Sequence, residues 1–295
     1  MMRNDSSSVR IDKCAMAVRK PDGEIALEVW ESQKPKRWYR RVPFVRGIFN
    51  FINMLVVGYR TLMRSAELAG LEEEEESAFE RKLKEKLGNK FTMLFNGVVL
   101  VLGAALAVGL FTLLPAAIGY LLGGVIRTRL ALTALEGIIK ILIFIVYLAL
   151  VSRMQEIRRV FQYHGAEHKT IFCYESGQEL TVENVQKFQR FHPRCGTSFL
   201  LIVLVISILV FSIVTWDNLF LRVALKLLLL PVVVGIAYEI IKFAGRRDNL
   251  ITRLISAPGL WLQRLTTAEP DAGQIEVAIA SMKAVIPEER ADAAY

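Results

Sequence analysis

The chain has 295 residues, 53% of them apolar, and a mean hydropathy of +0.37, yet it carries 37 Lys and Arg against 29 Asp and Glu, a formal net charge of +8. Apolar blocks separated by basic blocks are the pattern of a polytopic membrane protein. No nucleic-acid motif accompanies the basic excess, which membrane orientation explains. The cysteines Cys14, Cys173 and Cys195 all fall in segments expected on the cytoplasmic side, which argues against a disulfide framework and leaves thiols that are free, reactive or metal-bound.

Residues 1–90 are polar and basic, with no secretory signal peptide ahead of the apolar blocks. The stretch "AMAVRKPDGEIALEVWE", Ala15 to Glu31, alternates small apolar and polar residues around Pro21-Asp22-Gly23, which predicts a small cytoplasmic β-hairpin. Phe44, Ile48, Phe51, Ile52, Leu55 and Val56 then recur at helical spacing with Arg46, Arg60 and Arg64 among them. This predicts an amphipathic helix that lies on the inner leaflet or partners one of the spans. The glutamates at 72–76 and the following "RKLKEKLGNK" read as a solvated helical connection.

Four stretches approach the roughly 20 apolar residues needed to cross a bilayer: Phe91 to Val125, Leu132 to Ser152, Phe199 to Thr215 and Leu219 to Ala244. The first is long for one upright crossing and contains Pro115, so a tilt, kink or shallow re-entrant segment is expected. The third is short, charge-free and edged by Trp216. The fourth carries Arg222 and Lys226 near its start and Glu239 and Lys242 near its end; the outer charges can snorkel, and Glu239 is left conspicuous. Residues 1–90 hold 18 Lys and Arg, residues 153–198 hold 7 and residues 242–295 hold 7, whereas the opposite connections are nearly bare. Retention of positive charge on the cytoplasmic side then places both termini in the cytoplasm.

The expected fold is mainly α: a cytoplasmic region over 1–90, transmembrane helices over 91–152 and 199–244, a cytoplasmic loop over 153–198 and a cytoplasmic C-terminal region over 245–295. In that last region the sequence predicts an interfacial segment around Trp261 and a final helix capped by Asp271, with Gln274 completing a capping box.

All three histidines of the chain fall in or beside the 153–198 loop. In "YHGAEHKTIFCY", His164, Glu167 and His168 share one face of a predicted helix that also carries Ile157 and Phe161 and reads as a continuation of the second span. Twelve residues beyond Ser152 would lift His164 by about 18 Å on an upright helix. His-x-x-Glu-His is the inverzincin arrangement, with two imidazoles on zinc and the glutamate working on the attacking water. A second pair, His192 and Cys195 in "FHPRCG", precedes the third span, with Pro193 suited to the first turn of a helix. His164, His168, His192 and Cys195 are thus candidate ligands, and Glu167 is the candidate catalytic base. Two readings stand side by side: a catalytic site with an open position, and a closed His₃Cys site that staples the loop. Glu239, 71 residues beyond His168, is a weaker candidate ligand, against which stands an ion pair with Lys242 or Arg222.

These motifs resemble a known family. "AVRKPDGEI", "YHGAEHKTIFCYE", "LTVENV", "FHPRCGTSFLL", "LPVVVGIAYEIIKFAGR" and "PGLWLQRLTTAEPDAGQIEVAIA" together look like the YqhQ-like bacterial membrane proteins, a domain of unknown function sometimes labelled a metal-dependent enzyme. The resemblance implies a multi-pass protein of the bacterial cytoplasmic membrane. Members begin with a glycine-rich stretch ending in Met-Met-Arg, so it also implies that Met1-Met2-Arg3 is the tail of that stretch.

The function expected is zinc-dependent hydrolysis at the cytoplasmic membrane surface of a peptide or lipid-linked substrate. The alternative is a membrane scaffold or assembly factor with a structural zinc, whose amphipathic and basic segments bind lipid or partner proteins. A transporter would draw only on Glu239, Arg222 and Lys226, and the chain has no repeated half.

Overall fold

The computed structural model describes residues 2–3, 11–33, 39, 42–70, 89–122, 126, 128–193, 195–213, 219–244 and 249–286. The acidic run at 72–76 and Trp216 lie outside them. The chain forms two compact units: Met1–Gly70 with Leu148–Val203 and Pro231–Tyr295, and Leu71–Tyr147 with Leu204–Leu230.

The first unit contains the hairpin. Strands β2 (Ile11–Arg19) and β3 (Ile25–Gln33) are antiparallel in a register running from Ile11 opposite Gln33 to Arg19 opposite Ile25, and β1 (Met2–Arg3) pairs with β2 at Ala15 and Cys14. Gly23 has φ +87°, a conformation that costs glycine nothing, and the Asp22 carboxylate accepts the N–H of Glu24 at 2.9 Å. The sheet extends past the predicted Ala15 to Glu31 at both ends.

β2 buries Cys14, Ala15 and Met16 in succession, and Ala15 joins a core made with Ala166, Cys173, Leu180, Val185, Ile275, Ala278, Ile279 and Met282. Most of these come from three helices: α5 (Gln155–Glu175), α6 (Val182–Gln186) and α10 (Ala272–Val285). α10 starts as the sequence predicts. The Asp271 carboxylate accepts the Gln274 N–H at 2.8 Å, and the Gln274 side chain accepts the Asp271 N–H at 3.0 Å. Arg19 bridges the helix to the sheet through the Gly273 carbonyl and Glu276.

The amphipathic segment forms α1 (Val45–Leu68), and its first turns are held on α8 (Leu219–Ala244). Arg46 grips the Glu239 carboxylate with two nitrogens, the Phe44 N–H adds a bond to the same group, and Asn50 donates to the Tyr238 hydroxyl at 2.7 Å. Gly47 permits this approach, since a Cβ there would lie 2.7 Å from that of Tyr238. Glu239 is therefore paired with a residue far away in sequence.

Three helical stretches among the described residues are long and apolar enough to cross a membrane: Gly97–Leu122, Ala131–Val151 and Val223–Phe243. The first comprises α2 (Asn89–Val108), a π-helical turn (Gly109–Leu113) and α3 (Leu114–Leu122). Pro115 cannot donate to the carbonyl four residues earlier, and the helix widens just before it, with the Leu114 N–H reaching the Gly109 carbonyl. The expected third span is α7 (Thr197–Ile213), 17 residues whose apolar part, Phe199–Phe211, is shorter than an upright crossing needs. In the second unit, charged groups face inward: Lys226 donates to Glu136 at 3.2 Å, and Lys140, on α4 (Arg129–Val151), donates to Ser207 at 3.0 Å.

In the first unit, α9 (Leu250–Thr266) has a capping box formed by Asn249 and Thr252. It buries Leu262, Gln263 and Thr266 while exposing Leu250, Leu254 and Trp261. The segment around Trp261 is thus a helix with one buried face and one exposed apolar face.

Because Asp271 caps the helix that fills the core, Asp271→Ala is expected to destabilise the protein by about 1 kcal/mol. Thermal or denaturant unfolding in detergent measures this. Asp271→Asn, which keeps the acceptor, should restore most of the loss.

Candidate metal centre

Helix α5 is not a continuation of α4. The backbone breaks at residues 152–154, where Met154 is extended (φ −66°, ψ 136°), and α5 restarts at Gln155. Its buried stripe includes Ala166, His168, Lys169, Thr170 and Cys173. His164, Glu167 and His168 project together as their spacing requires, and the two imidazole rings lie 4.4 Å apart between centroids.

Cys195 completes the group. It sits in a turn that bonds its N–H to the His192 carbonyl, two residues before α7 begins. Pro193 therefore lies in that turn and does not open the helix. The Cys195 sulfur is 3.2 Å from His164 Nε2, and one ligand atom from each of His164, His168 and Cys195 lies within 4.8 Å of the other two.

Two backbone carbonyls set the histidine tautomers. Nδ1 of His164 is 2.8 Å from the Thr266 oxygen, and Nδ1 of His168 is 2.6 Å from the Arg190 oxygen. A carbonyl only accepts, so each Nδ1 must carry the proton, and in the neutral rings each Nε2 presents a lone pair. This is how metal-binding histidines are ordinarily oriented, and the donor set of two imidazoles and a thiolate suits zinc.

The electrostatics favour the thiolate. Burial raises the Cys195 pKa, but hydrogen bonds and charge from His164 and His168 outweigh it and bring the thiol down to about 5. At His164 burial works to lower the pKa, while Cys195, the Thr266 carbonyl and the nearby Glu167 charge overcome it, and the net shift is upward. Cys173, outside the group, is pushed up by burial.

The other candidates have different surroundings. His192 is buried beside the group, its ring 5.7 Å from that of His168 and 4.6 Å from that of Phe172, with Nε2 3.6 Å from Glu175. Gln263 holds its backbone from both sides, accepting its N–H at 2.7 Å and donating to its carbonyl at 2.8 Å. Glu239 is bound by Arg46 and Phe44. Glu167 is half-buried, and its side chain makes no hydrogen bond or ion pair among the described residues.

Several supporting residues escape a reading of the sequence. The segment from Thr266 to Pro270 crosses α5 so closely that a Cβ on Gly165 would sit 2.2 Å from the Ala268 carbonyl oxygen, and the Ala268 N–H donates to the Phe161 carbonyl. Buried Lys169 pairs with Glu269 and donates to the Gln186 carbonyl at 3.1 Å, while Arg190 reaches the same carboxylate at 3.1 Å. A glycine inside a polar helix was the available signal for the crossing.

A mainly helical protein with helices able to cross a membrane and a His/Cys group at metal-binding distance is thus defined. The chain belongs to the family described as Protein of unknown function (DUF1385), which it matches over residues 42–288. It is 37% identical over 273 residues to the Uncharacterized protein YqhQ of Bacillus subtilis (strain 168), covering 92% of this chain and 86% of that protein. The family resemblance of the quoted motifs is therefore correct. No solved structure matches the chain.

Gly165→Ala is expected to push the 266–270 segment off α5, lowering stability by about 2 kcal/mol and releasing His164 from the Thr266 carbonyl. Unfolding and metal-content measurements on one preparation check both effects. For the thiol, metal-stripped protein should alkylate at Cys195 as a thiolate at any pH above about 5. Peptide mapping after iodoacetamide treatment reads this. His164→Ala should move the onset upward, towards the ordinary thiol range.

Proposed function

We propose that the protein is a membrane-anchored, zinc-dependent hydrolase working at the cytoplasmic surface. The observation that carries the reading is the convergence of a ligand atom from each of His164, His168 and Cys195, with both histidines oriented by carbonyls. Three protein ligands leave a fourth position for water or substrate, the arrangement of catalytic zinc, whereas structural sites are closed by four.

Zinc bound there would lower the pKa of a water towards about 7 and polarise the scissile bond. The chain supplies the rest. Glu167, one turn from His164 and adjacent to His168, makes no side-chain hydrogen bond or ion pair among the described residues and is suited to take the proton from the attacking water and return it to the leaving group. The Thr266 and Arg190 carbonyls keep the imidazoles from turning as charge develops. The 18, 7 and 7 basic residues of the predicted inner segments support a cytoplasmic site with both termini inside. A site so placed takes its substrate from the membrane, as a peptide segment or a lipid-linked group.

The second reading rests on His192. Its buried ring beside His168 would, on turning, supply a fourth ligand and convert the site into a structural staple for a scaffold protein.

The purified protein is expected to carry about one zinc per chain, and the His164→Ala/His168→Ala double variant to carry almost none. Glu167→Gln should keep the zinc but lose on the order of 10² to 10⁴ in rate, read as failure to complement a deletion strain. Normal complementation by zinc-loaded Glu167→Gln would eliminate the hydrolase reading, and four protein ligands by X-ray absorption would favour the scaffold.

A further inference from the structure

A cavity of about 370 Å³ opens beside the metal centre, lined by Arg153, Arg158, Arg190, Arg264 and the segment Thr267–Glu269. Four arginines face one glutamate, and that glutamate is already engaged by Lys169 and Arg190. Among the described residues the guanidinium groups of Arg153, Arg158 and Arg264 make no hydrogen bond or ion pair, and the Nε of Arg190 is buried without a hydrogen-bond partner. Arg153, Arg158 and Arg264 are exposed, and with Arg190 they line one concavity, which suits an anion with several acceptor oxygens.

Position identifies the anion's source. Ser152 and Arg153 also line the cavity and directly follow the candidate span Ala131–Val151, so the cavity mouth falls where headgroups would lie if that helix crosses the membrane. Arg264 lines a second cavity too, of about 590 Å³, whose walls include Phe172, Phe191, Leu260 and the exposed Trp261. A cationic cavity and an apolar groove sharing one arginine match a phosphate group attached to an apolar chain.

We propose that this arginine cavity binds the terminal phosphate of an anionic membrane lipid, with the lipid's apolar chain in the groove along Trp261. The bound lipid lies next to the chemistry. Thr267 follows Thr266, whose carbonyl orients His164, and Arg190 supplies the carbonyl that orients His168. The inference thereby deepens the hydrolase reading, naming a phosphate-bearing lipid as the substrate class, but the binding step needs no metal.

The full chain, purified in a neutral maltoside detergent, is titrated with dihexanoyl phosphatidic acid, with dihexanoyl phosphatidylcholine and with inorganic phosphate, binding being read by calorimetry. Phosphatidic acid is expected to bind at least about tenfold more tightly than either of the others. Arg153→Gln, Arg158→Gln and Arg264→Gln should each weaken it about fivefold, and the triple variant about a hundredfold, in line with roughly 1 kcal/mol for each basic residue near a lipid surface. The single variants keep the test decisive if the triple variant does not fold. The His164→Ala/His168→Ala variant should bind as the wild type does, which supports the cavity whether or not the metal centre is catalytic. Equal affinity for phosphatidylcholine, or unchanged affinity in the glutamine variants, overturns the proposal. Inorganic phosphate binding as tightly as the lipid overturns the lipid assignment in favour of a soluble phosphate, and loss of binding in the histidine variant would place the anion on the metal.

Discussion

The backbone at Ala268 rests on α5 at Gly165 with no room for a β-carbon, and the geometry of the His164, His168 and Cys195 group depends on that contact. It brings the Thr266 carbonyl to His164, and it anchors the segment leading into α10, whose apolar residues fill the core against α5 and β2. One glycine thus couples a ligand's orientation to the packing of the whole first unit. Large overlaps at backbone atoms cannot be relieved by a rotamer change, so the constraint is rigid in a way that side-chain packing is not.

A second tie holds the same crossing electrostatically. Lys169 is 6% exposed in its side chain, whereas its partner Glu269 is 61% exposed. The cost of burying the ammonium is offset by a carboxylate and by the Gln186 carbonyl, and Arg190 joins from the other side. Burial by itself would raise the Glu269 pKa, but the two cations outweigh that and hold it below its usual range. Arg190 therefore serves three neighbours: its carbonyl orients His168, its guanidinium reaches Glu269, and its plane lies over Phe191, 5.0 Å from the ring centre.

What could be read from the sequence was local. The Pro-Asp-Gly hairpin, the Asp271 capping box and the face shared by His164, Glu167 and His168 each follow from spacings of four residues or fewer, which backbone geometry converts directly into structure. The supports of the site are pairs separated by far more. Thr266 lies 102 residues from His164, Gln263 lies 71 from His192, and Arg46 lies 193 from Glu239. No periodicity encodes such pairs. The break at residues 152–154 was equally hidden, since Ser-Arg-Met contains neither proline nor glycine to announce it.

The Arg46–Glu239 pair shows why a carboxylate in a candidate span, with suitable spacing, need not belong to a metal site. Glu239 lies within the candidate span Val223–Phe243, where an unpaired carboxylate is expensive. Arg46 meets it through two nitrogens, and the Phe44 N–H adds a third bond to the same group. Both side chains are about one-fifth exposed. Turning Glu239 towards a metal would leave a guanidinium without its partner, and breaking one side of such a pair typically costs more than forming the pair contributes. Gly47 and Gly235 admit the close contact between α1 and α8 that holds the pair, so the arrangement is built into the helix interface. Helix packing thus fixes Glu239, on α8, against Arg46 of α1, while His164, His168 and Cys195, on α5 and the turn before α7, have ligand atoms within 4.8 Å of one another.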